Sequence, residues 1–329
     1  RSFLGNWTSM HFVRGLHNLK PEHRHCALTI GNFDGVHQGH QALLRLLAEQ
    51  SKRRNIPACL MSFDPLPHEY FARDNPAPRL TSARERYTSI AELDPALRPN
   101  LLLILHFNDA LAQLSAEAFV TQVLVDALAV KVIVIGDDFR FGKGRTGDFD
   151  FLKTAGDQYG FEVLALPTYS VDSLRVSSTG VRQALLEDRL SDAEHMLGRP
   201  YRICGRIAHG DKRGRTIGFP TANIRLRRPA IPLSGVYTVT LCSTELGAVA
   251  GIANIGKRPT VGGMRDQLEV HLFDFSKDIY GMNVCVSFHH KIRDEKKYET
   301  IELLQQQIEL DCVRALELHH SMKSEQATE

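Results

Sequence analysis

The first half of the chain alternates short apolar runs with amphipathic stretches. In HQALLRLLAEQ, the side chains of Leu43, Leu46, Leu47 and Gln50 recur at helical spacing, which predicts a helix. Runs such as VKVIVIG are apolar at almost every position, which is typical of strands buried on both faces. The predicted strands are Ala27–Ile30, Ala58–Phe63, Leu101–Phe107, Val130–Gly136 and Glu162–Pro167. Strands separated by helices of this length predict an α/β domain with a doubly wound parallel sheet.

The pattern changes after about Gln183. The stretch ALLEDRLSDAEHMLGRP predicts two short helical pieces and a linker. Beyond it, apolar and polar residues alternate in VYTVTL, AVAGIANI, LEVHLF and VCVSFHH, and glycines and prolines separate these segments. This alternation predicts an antiparallel barrel or sandwich. The last ~25 residues predict one amphipathic helix, whose inner face would carry Ile301, Leu304, Ile308 and Cys312.

The two patterns divide the chain into an α/β domain and an all-β domain. We predict the α/β domain over residues 10–186, and a linker, a β-barrel and a terminal helix over residues 187–329. Residues 1–9 precede Met10, where MHFVRGLHNL has the form of a natural start, and we predict that they form a disordered extension. A chain of 329 residues is long enough for two cores, because single domains usually contain about 100–200 residues.

Composition and charge argue against several classes of protein. The 40 basic and 38 acidic residues leave a net charge of only +2, whereas proteins that bind nucleic acids or membrane surfaces normally carry a strong basic excess. No apolar run reaches the ~18 residues needed to span a bilayer. We therefore expect no nucleic-acid partner and no membrane partner. The six cysteines lie far apart without zinc-site spacing, and we expect all six to be reduced in a cytoplasmic protein.

The segment GNFDGVHQGH, residues 31–40, lies between the first predicted strand and the first predicted helix. Its three glycines allow a tight turn and a close approach of the backbone to a ligand. A helix N-terminus offers unpaired N–H groups and the positive end of a dipole, which suit a phosphate. His37 and His40 are three residues apart and share a face of the first helical turn. They could stabilise charge on a phosphoryl group. The pattern H-x-G-H alone is about as often a pair of surface histidines, but its position after a strand, with three glycines and before an amphipathic helix, favours the phosphate-binding interpretation.

The second half opens with a basic, glycine-rich segment, GRIAHGDKRGRTIGFPTANI, over residues 205–224. In its extended end, Thr221 and Asn223 point to the same side because side chains alternate along a strand. A hydroxyl and an amide oxygen are donors that Mg²⁺ accepts beside waters and substrate phosphates. Glu269 lies on the polar face of the predicted strand LEVHLF. By spacing alone, such a glutamate is more often a solvent-exposed strand residue than a catalytic one.

Several segments of the first half together resemble one family. GNFDGVHQGH is similar to the signature of nucleotidyltransferases related to class I aminoacyl-tRNA synthetases, in the form found in the FMN adenylyltransferase half of prokaryotic bifunctional FAD synthetases. SFDPLPHEYF, GDDFRFGKGRTGD and RVSSTGVRQAL resemble further flavin-binding and phosphate-binding segments of that family. The resemblance implies a Rossmann-like nucleotidyltransferase domain. It also implies flavin contacts from Phe63, Pro65, Asp138 and Phe139, nucleotide contacts from Gly31, Phe33, Asp34, Gly39, Arg175, Ser178 and Thr179, and catalytic roles for His37, His40 and Arg182.

The second half resembles riboflavin kinase, in order and over its whole length. The similar segments are GRTIGFPTAN, NIGKRPT, EVHLFDF, DIYG and RDEKKYETIELLQQQIELD. The resemblance implies a Greek-key β-barrel with a terminal helix. It also implies Thr221 and Asn223 as Mg²⁺ ligands, Glu269 as general base, Arg293 as a flavin contact, and Gly210, Arg215 and Gly218 as nucleotide contacts.

Together the two resemblances imply that the protein makes FAD from riboflavin in two ATP-dependent steps. We expect riboflavin, FMN and ATP as substrates, FMN and FAD as products, and Mg²⁺ as the metal, in the cytoplasm. One alternative is an adenylyltransferase or cytidylyltransferase that acts on another phosphorylated metabolite. A flavin-binding sensor without turnover is a second alternative, which is disfavoured because a sensor needs no second triphosphate-binding segment. The sequence does not predict the oligomeric state.

Overall fold

The computed structural model describes residues 10–72, 76–171, 174–208, 218–226, 228, 230–260 and 263–326. The described residues form two compact units, one with residues up to 77 and 83–178, the other with residues 78–82 and 179 onwards. The predicted disordered extension, residues 1–9, lies outside the described residues. The predicted domain boundary between residues 186 and 187 stays a prediction.

The first unit contains a six-stranded sheet in which every pair of neighbours is parallel. Its strands are β1 His11–Arg14, β2 Ala27–Ile30, β3 Ala58–Phe63, β4 Leu101–Leu105, β5 Val132–Gly136 and β6 Glu162–Leu166, in the order β1-β4-β3-β2-β5-β6. A separate two-stranded sheet consists of β7 Ser170–Val171 and β8 Leu174–Arg175. The predicted doubly wound α/β sheet is confirmed, and the five predicted strands are present with ends within two residues.

Helices connect the strands, and apolar clusters cover both faces of the sheet. The helices of this unit are α1 Gln38–Arg54, α2 Pro67–Phe71, α3 Ala83–Ala91, α4 Asp109–Ala112, α5 Ala116–Phe119 with its π-helical continuation Val120–Ala127, and α6 Phe149–Tyr159. Helix α7, Ser178–Leu186, begins at the last residue of this unit and continues in the other. Successive residues of one strand enter opposite cores: Leu101 and Leu103 pack in one apolar cluster, and Leu102 and Ile104 in the other. Burial on both faces explains why the strands β2 to β5 are apolar at nearly every position.

The strand order reverses between β2 and β5, which are neighbours in the sheet but not in the chain. In open α/β sheets, ligands bind beyond the carboxyl ends of the strands at such a reversal. The segment GNFDGVHQGH follows β2, and GDDFRFG begins at Gly136, the last residue of β5. Two segments that the sequence singled out therefore meet at the position where a ligand is expected.

The second unit contains a closed barrel of six antiparallel strands, preceded by helix α8, Leu190–Leu197. The strands are β9 Arg202–Ala208, β10 Thr221–Arg225, β11 Gly235–Ser243, β12 Gly247–Thr260, β13 Gly263–Leu272 and β14 Asn283–Arg293. Strands β11, β12 and β13 are consecutive neighbours, and β14 returns to lie beside β11. This arrangement is a Greek key, so the predicted Greek-key barrel is confirmed.

The predicted terminal helix is confirmed as α9, Ile301–Gln326. Its buried residues, Asp311, Ala315 and His319, recur at intervals of four and form the face that packs inward. The predicted inner position Ile301 is wrong, because its side chain is 62% exposed in the first turn of the helix. The other three predicted positions are half-buried. Among the described residues, neither α9 nor another helix combines the length and apolar character that a membrane crossing requires.

Two of the six cysteines form a disulfide, so the expectation that all six are reduced is wrong. Cys204 on β9 lies opposite Cys285 on β14, and their sulfur atoms are bonded. The two residues are 81 positions apart in the chain, and only the closing of the barrel brings their strands together. The remaining cysteines are free: Cys26, Cys59, Cys242 and Cys312.

Candidate active sites

The first candidate site is the loop between β2 and α1. The strand ends at Ile30 and the helix begins at Gln38. Gly35 has a φ of 85°, in the left-handed region that glycine adopts without strain. A Cβ atom on Gly39 would lie 3.2 Å from Nδ1 of His37, so glycine lets the backbone pass close to this imidazole. The loop therefore leads into a helix N-terminus whose N–H groups suit a phosphate.

The two histidines of this loop, which the resemblance implies are catalytic, are stacked on each other. Their ring centroids are 3.5 Å apart with 16° between the planes. His37 is the N-cap of α1, and its Nδ1 accepts a hydrogen bond of 3.3 Å from the backbone N–H of His40. The His40 ring also stacks on the buried Phe33, with centroids 4.5 Å apart. These contacts fix both imidazoles at the start of α1.

His40 is neutral near pH 7. Burial of the ring holds its pKa well below the ordinary value, and the neighbouring His37 and Arg86 lower it further. Arg86 on α3 is itself buried, and its guanidinium donates to the carbonyl oxygens of Asn32 over 2.6 Å and of Phe63 over 3.0 Å. Sequence reasoning missed Arg86, because an arginine in an amphipathic helix is usually a surface residue.

The second predicted phosphate-binding segment, RVSSTGVRQAL, is hydrogen-bonded to the loop between β2 and α1. Ser178 is the first residue of α7, and its Oγ donates to the carbonyl oxygen of the buried Asp34 over 2.9 Å. Arg175 on β8 is exposed and forms an ion pair of 3.4 Å with the exposed Asp138. Two further predicted residues follow along α7 and belong to the other compact unit: Thr179, a predicted nucleotide contact, and Arg182, a predicted catalytic residue.

A cavity of about 470 Å³ in the first unit adjoins the loop between β2 and α1, since Ile30 and Asn32 line it. Its walls carry six phenylalanines: Phe63, Phe71, Phe107, Phe119, Phe139 and Phe141. Aromatic rings pack favourably against other rings, and this volume lies within the roughly 300–1,000 Å³ of small-molecule pockets. The cavity can therefore hold a planar aromatic ligand.

Phe63 and Phe139 are the two predicted flavin contacts that line this cavity. The other two do not line it: Pro65 is half-buried after β3, and Asp138 is exposed. Sequence reasoning missed Phe107 and Phe119, whereas Phe71 and Phe141 lie in the segments SFDPLPHEYF and GDDFRFGKGRTGD without having been named individually. The available signal was the position of Phe107 just beyond the carboxyl end of β4.

The second candidate site lies on β10 and β13, on the barrel face opposite the core. Asn223 is directly opposite Glu269, and Thr221 is opposite His271. Directly opposite residues of antiparallel strands share a face, and so do residues two apart in one strand. The structure thus brings together the two predicted Mg²⁺ ligands and the predicted base. The intervening Ala222 is buried in the core.

Gln267 links the predicted ligand to the predicted base. Its Nε2 donates to Oε1 of Glu269 over 3.0 Å and also donates to Oδ1 of Asn223. On the other neighbouring strand, Asn254 lies opposite Glu269. Sequence reasoning missed Gln267, although its position two residues before Glu269 places it on the same face.

A cavity of about 440 Å³ begins at the Thr221 end of β10. It is lined by Ile207, Pro220, Thr221, Ala222, Val270, Leu272 and residues 275–280. Thr221 belongs both to this cavity and to the face that carries Glu269, whereas Ala222 and Val270 line the cavity from the opposite, core face. Gly218 precedes β10, is exposed and has a φ of 88°. Two predicted nucleotide contacts, Gly210 and Arg215, lie outside the described residues.

Arg293, a predicted flavin contact, is held by the terminal helix. Its Nη2 lies 2.7 Å from Oδ2 of Asp311, a carboxylate that is only 4% exposed. Its guanidinium also lies over the ring of Tyr298, 5.8 Å from the centroid. Arg293 does not line the cavity beside Thr221. Its contacts therefore join β14 to α9.

The donors beside Glu269 suit Mg²⁺ only in company with a substrate. No group of three or more His, Cys, Asp or Glu side chains in the described part of the chain could hold a metal ion. Thr221 and Asn223 offer a hydroxyl and an amide oxygen on one face. Mg²⁺ usually keeps several waters and binds substrate phosphates beside few protein ligands, so this pair fits a phosphate-bound ion.

Comparison with known proteins covers both units. A family model described as FAD synthetase matches residues 19–180, and one described as riboflavin kinase matches residues 197–319. Relatives named bifunctional riboflavin kinase/FMN adenylyltransferase occur in Escherichia coli K12, with 47% identity over 94% of this chain and 97% of the relative, and in Haemophilus influenzae, with 46% identity over 93% and 98%. A crystal structure from Streptococcus pneumoniae, described as a macrolide-efflux protein, is 29% identical, with a TM-score of 0.74 over 92% of this chain and 97% of that one.

Proposed function

Because the chain belongs to the family of bifunctional riboflavin kinase/FMN adenylyltransferases, we propose how its residues divide two reactions between domains of residues 10–186 and 187–329. The C-terminal half phosphorylates riboflavin to FMN with ATP. The N-terminal half adenylylates FMN to FAD with a second ATP and releases pyrophosphate. The observation that carries the proposal is the pairing of Asn223 with Glu269 on the barrel, separate from the stacked His37 and His40.

In adenylyl transfer, the phosphate of FMN attacks the α-phosphate of ATP. The N–H groups at the start of α1 would hold ATP phosphates, and Gly31 and Gly39 would allow the close approach. His37 accepts the His40 N–H at Nδ1, so neutral His37 carries its proton on Nε2 and can donate from there. Neutral His40 would likewise stabilise developing negative charge by a hydrogen bond rather than by a full charge.

Further groups would complete the adenylyl-transfer site. Arg175 and Arg182 would supply positive charge to the triphosphate, and exposed Arg175 can exchange its ion pair with Asp138 for a phosphate because exposed ion pairs are weak. Ser178 keeps the start of α7 at the loop through its bond to Asp34. The flavin ring would occupy the cavity lined by phenylalanines, where Phe63 and Phe139 can stack on it.

In phosphoryl transfer, Glu269 would accept the proton of the terminal ribityl hydroxyl as that oxygen attacks the γ-phosphate of ATP. Thr221 and Asn223 would hold Mg²⁺, which when bound neutralises charge on the ATP phosphates. The cavity that begins at Thr221 would take the nucleoside of ATP, and the presence of Thr221 in its lining supports this assignment. Neither reaction requires a covalent enzyme intermediate, because both nucleophiles belong to substrates.

We also propose that the enzyme acts in the cytoplasm, because both of its reactions consume ATP. The disulfide between Cys204 and Cys285 stands against this location, since disulfides are rare in reducing compartments. Fractionation of the source cells with compartment markers tests the location directly.

Two substitutions test the division of the reactions. Glu269→Ala should lower FMN formation by about 10²–10⁴-fold, the usual contribution of an acid–base group, and should leave the conversion of supplied FMN to FAD unchanged. His40→Ala should lower FAD formation by about 10²–10³-fold and spare FMN formation. Flavins are separated chromatographically over time after addition of ATP and Mg²⁺ with either riboflavin or FMN.

The exposed residues Glu245 and His17 provide matched controls, as Glu245→Ala and His17→Ala should change neither reaction. Circular dichroism shows whether each variant is folded. A folded single variant that loses both reactions, or a Glu269→Ala variant that forms FMN at the normal rate, would refute the proposed assignment.

A further inference from the structure

Gln267 lies between Asn223 and Glu269, on the barrel face of β10 and β13 that carries them. No step of the proposed phosphoryl transfer uses it. Its side chain is half-buried. The residue opposite it on β12 is Gly256, and the carboxylate of Glu295 occupies the space that a side chain at that position would fill. The amide instead turns along its own face and donates to Glu269 and Asn223.

The two hydrogen bonds use both donor hydrogens of the Gln267 amide. An NH₂ group carries two hydrogens, and Gln267 directs its Nε2 to one oxygen of each partner. The carboxylate of Glu269 is held at Oε1 in this way. Oδ1 of Asn223 keeps its second lone pair, which is the lone pair a cation would need.

The bond to Asn223 also determines which end of that amide faces a cation. The terminal torsion of asparagine has roughly two-fold preferences, so the side chain can present either its oxygen or its NH₂ group. A donor fixed at Oδ1 disfavours the flipped form, in which an NH₂ group would point at the metal. Removal of the donor would therefore release both the base and the metal ligand.

We propose that Gln267 is a positioning residue for riboflavin phosphorylation, whose single amide holds the base Glu269 and the Mg²⁺ ligand Asn223 in one fixed arrangement. The inference rests on the proposed functions of those two residues. It assigns no contact between Gln267 and the substrates.

Two variants test the proposal. Gln267→Leu removes both donated hydrogen bonds, and Gln267→Glu keeps the shape of the side chain but replaces the donor with an acceptor beside Glu269. Each should lower kcat for FMN formation by about 10–100-fold, the usual effect of losing a group that orients metal ligands. The KM for riboflavin and the rate of FMN adenylylation should stay unchanged. Gln306→Leu, the same exchange at an exposed position of α9, should leave all these values unchanged.

A binding measurement separates positioning from a general loss of structure. Calorimetric titration with ADP should give weaker binding to Gln267→Leu in the presence of Mg²⁺, by about 10-fold or more, and unchanged binding in the presence of EDTA. Normal kcat and normal Mg²⁺-dependent binding in both variants would overturn the proposal. Equal weakening with and without Mg²⁺ would also overturn it, because the defect would then not concern the metal ligand.

Glu269→Ala, measured in parallel, distinguishes this inference from the proposed function beneath it. If Glu269→Ala forms FMN normally, the assignment of the base fails and the role of Gln267 fails with it. If Glu269→Ala is inactive while Gln267→Leu and Gln267→Glu match the unmodified enzyme, only the role of Gln267 fails.

Discussion

His289 on β14 shows how one side chain can make the barrel sensitive to pH. Its Nε2 lies 2.9 Å from Oγ1 of Thr240, and its ring centroid lies 6.2 Å from that of the buried His319 of α9. Burial, followed by the influence of His319 and His290, lowers the pKa of His289 to about 4. The ring is therefore neutral in the folded barrel at pH 7.

We expect the barrel to lose stability on acidification because of this histidine. The folded pKa of about 4 lies below the ordinary value of 6.5, so the unfolded chain binds more protons between these pH values. The stability contribution is complete above pH 6.5 and declines towards pH 4, by about 2–3 kcal/mol when partial exposure is considered. The thermal midpoint of the barrel should fall less between pH 7 and pH 4.5 in His289→Gln.

The exposed neighbour offers the control for this experiment, since His290→Gln should retain the pH sensitivity of the unmodified protein. An unchanged response to acid in His289→Gln would assign the sensitivity to other groups of the barrel.

At the level of single residues, the sequence predicts functional residues inside a motif better than residues elsewhere in the chain that contact the motif. His37, His40, Thr221, Asn223 and Glu269 belong to segments with distinctive composition, and the structure places each set together. Arg86 of α3 was missed because its partners, the carbonyl oxygens of Asn32 after β2 and of Phe63 at the end of β3, are 54 and 23 positions away. Contacts of this kind depend on the packing of elements that no local pattern describes.

We expect the ion pair between Arg293 of β14 and Asp311 of α9 to contribute most to the stability of the packed terminal helix. Asp311 is buried and also accepts from Gln307, and Arg293 supplies its only formal positive partner among the described contacts. Arg293→Met would leave this carboxylate buried without its cation, at a cost of about 3 kcal/mol or more. Differential scanning calorimetry of the barrel transition measures the loss.

Two further variants make this prediction specific. Replacement of both partners, Arg293→Met with Asp311→Leu, should recover much of the stability, because an apolar pair can replace a buried ion pair at little cost. Arg314→Met removes an exposed ion pair of α9 and should have no measurable effect. A single Arg293→Met variant as stable as the unmodified protein would contradict the expected role of the pair.

At the level of elements, prediction succeeded where burial imposes a pattern on the sequence. The strands β2 to β5 are buried at nearly every position, and their apolar runs are continuous. The edge strand β6 is half-buried or exposed throughout, but Val163, Leu164 and Leu166 kept it apolar enough to be predicted. Strand β1 was missed because only Val13 of its four residues is buried, so His11–Arg14 carries no pattern. The disulfide was missed for another reason: it depends on the pairing of β9 with β14, which closes the barrel and has no local signal.

At the level of the whole molecule, the predicted catalytic residues of the two reactions are divided between the compact units, except that Arg182, predicted for adenylyl transfer, belongs to the same unit as Glu269. The family models match the two halves separately, at residues 19–180 and 197–319. Resemblance over the whole chain therefore predicted the pair of reactions, whereas spacing alone left the roles of Glu269 and the histidines open. The structure adds the register that joins Asn223 to Glu269, and the cavity that joins distant phenylalanines.

This separation leads to a prediction about the intermediate. We expect FMN formed at the barrel to leave Glu269 before its phosphate attacks ATP beside His40. We therefore expect a mixture of the Glu269→Ala and His40→Ala variants to make FAD from riboflavin and ATP. Alone, the first variant should leave riboflavin unconverted and the second should stop at FMN.

A time course of the flavins in the mixture provides the measurement. FMN made by the His40→Ala chains should appear first, and FAD should follow after a lag that shortens as the concentration of Glu269→Ala chains is raised, because the second step consumes FMN from solution. If FMN accumulates but no FAD forms, although the Glu269→Ala chains convert supplied FMN, release into solution would be refuted as the route. Transfer of FMN would then require both active sites in one chain, and the two reactions would have to be coupled within that chain.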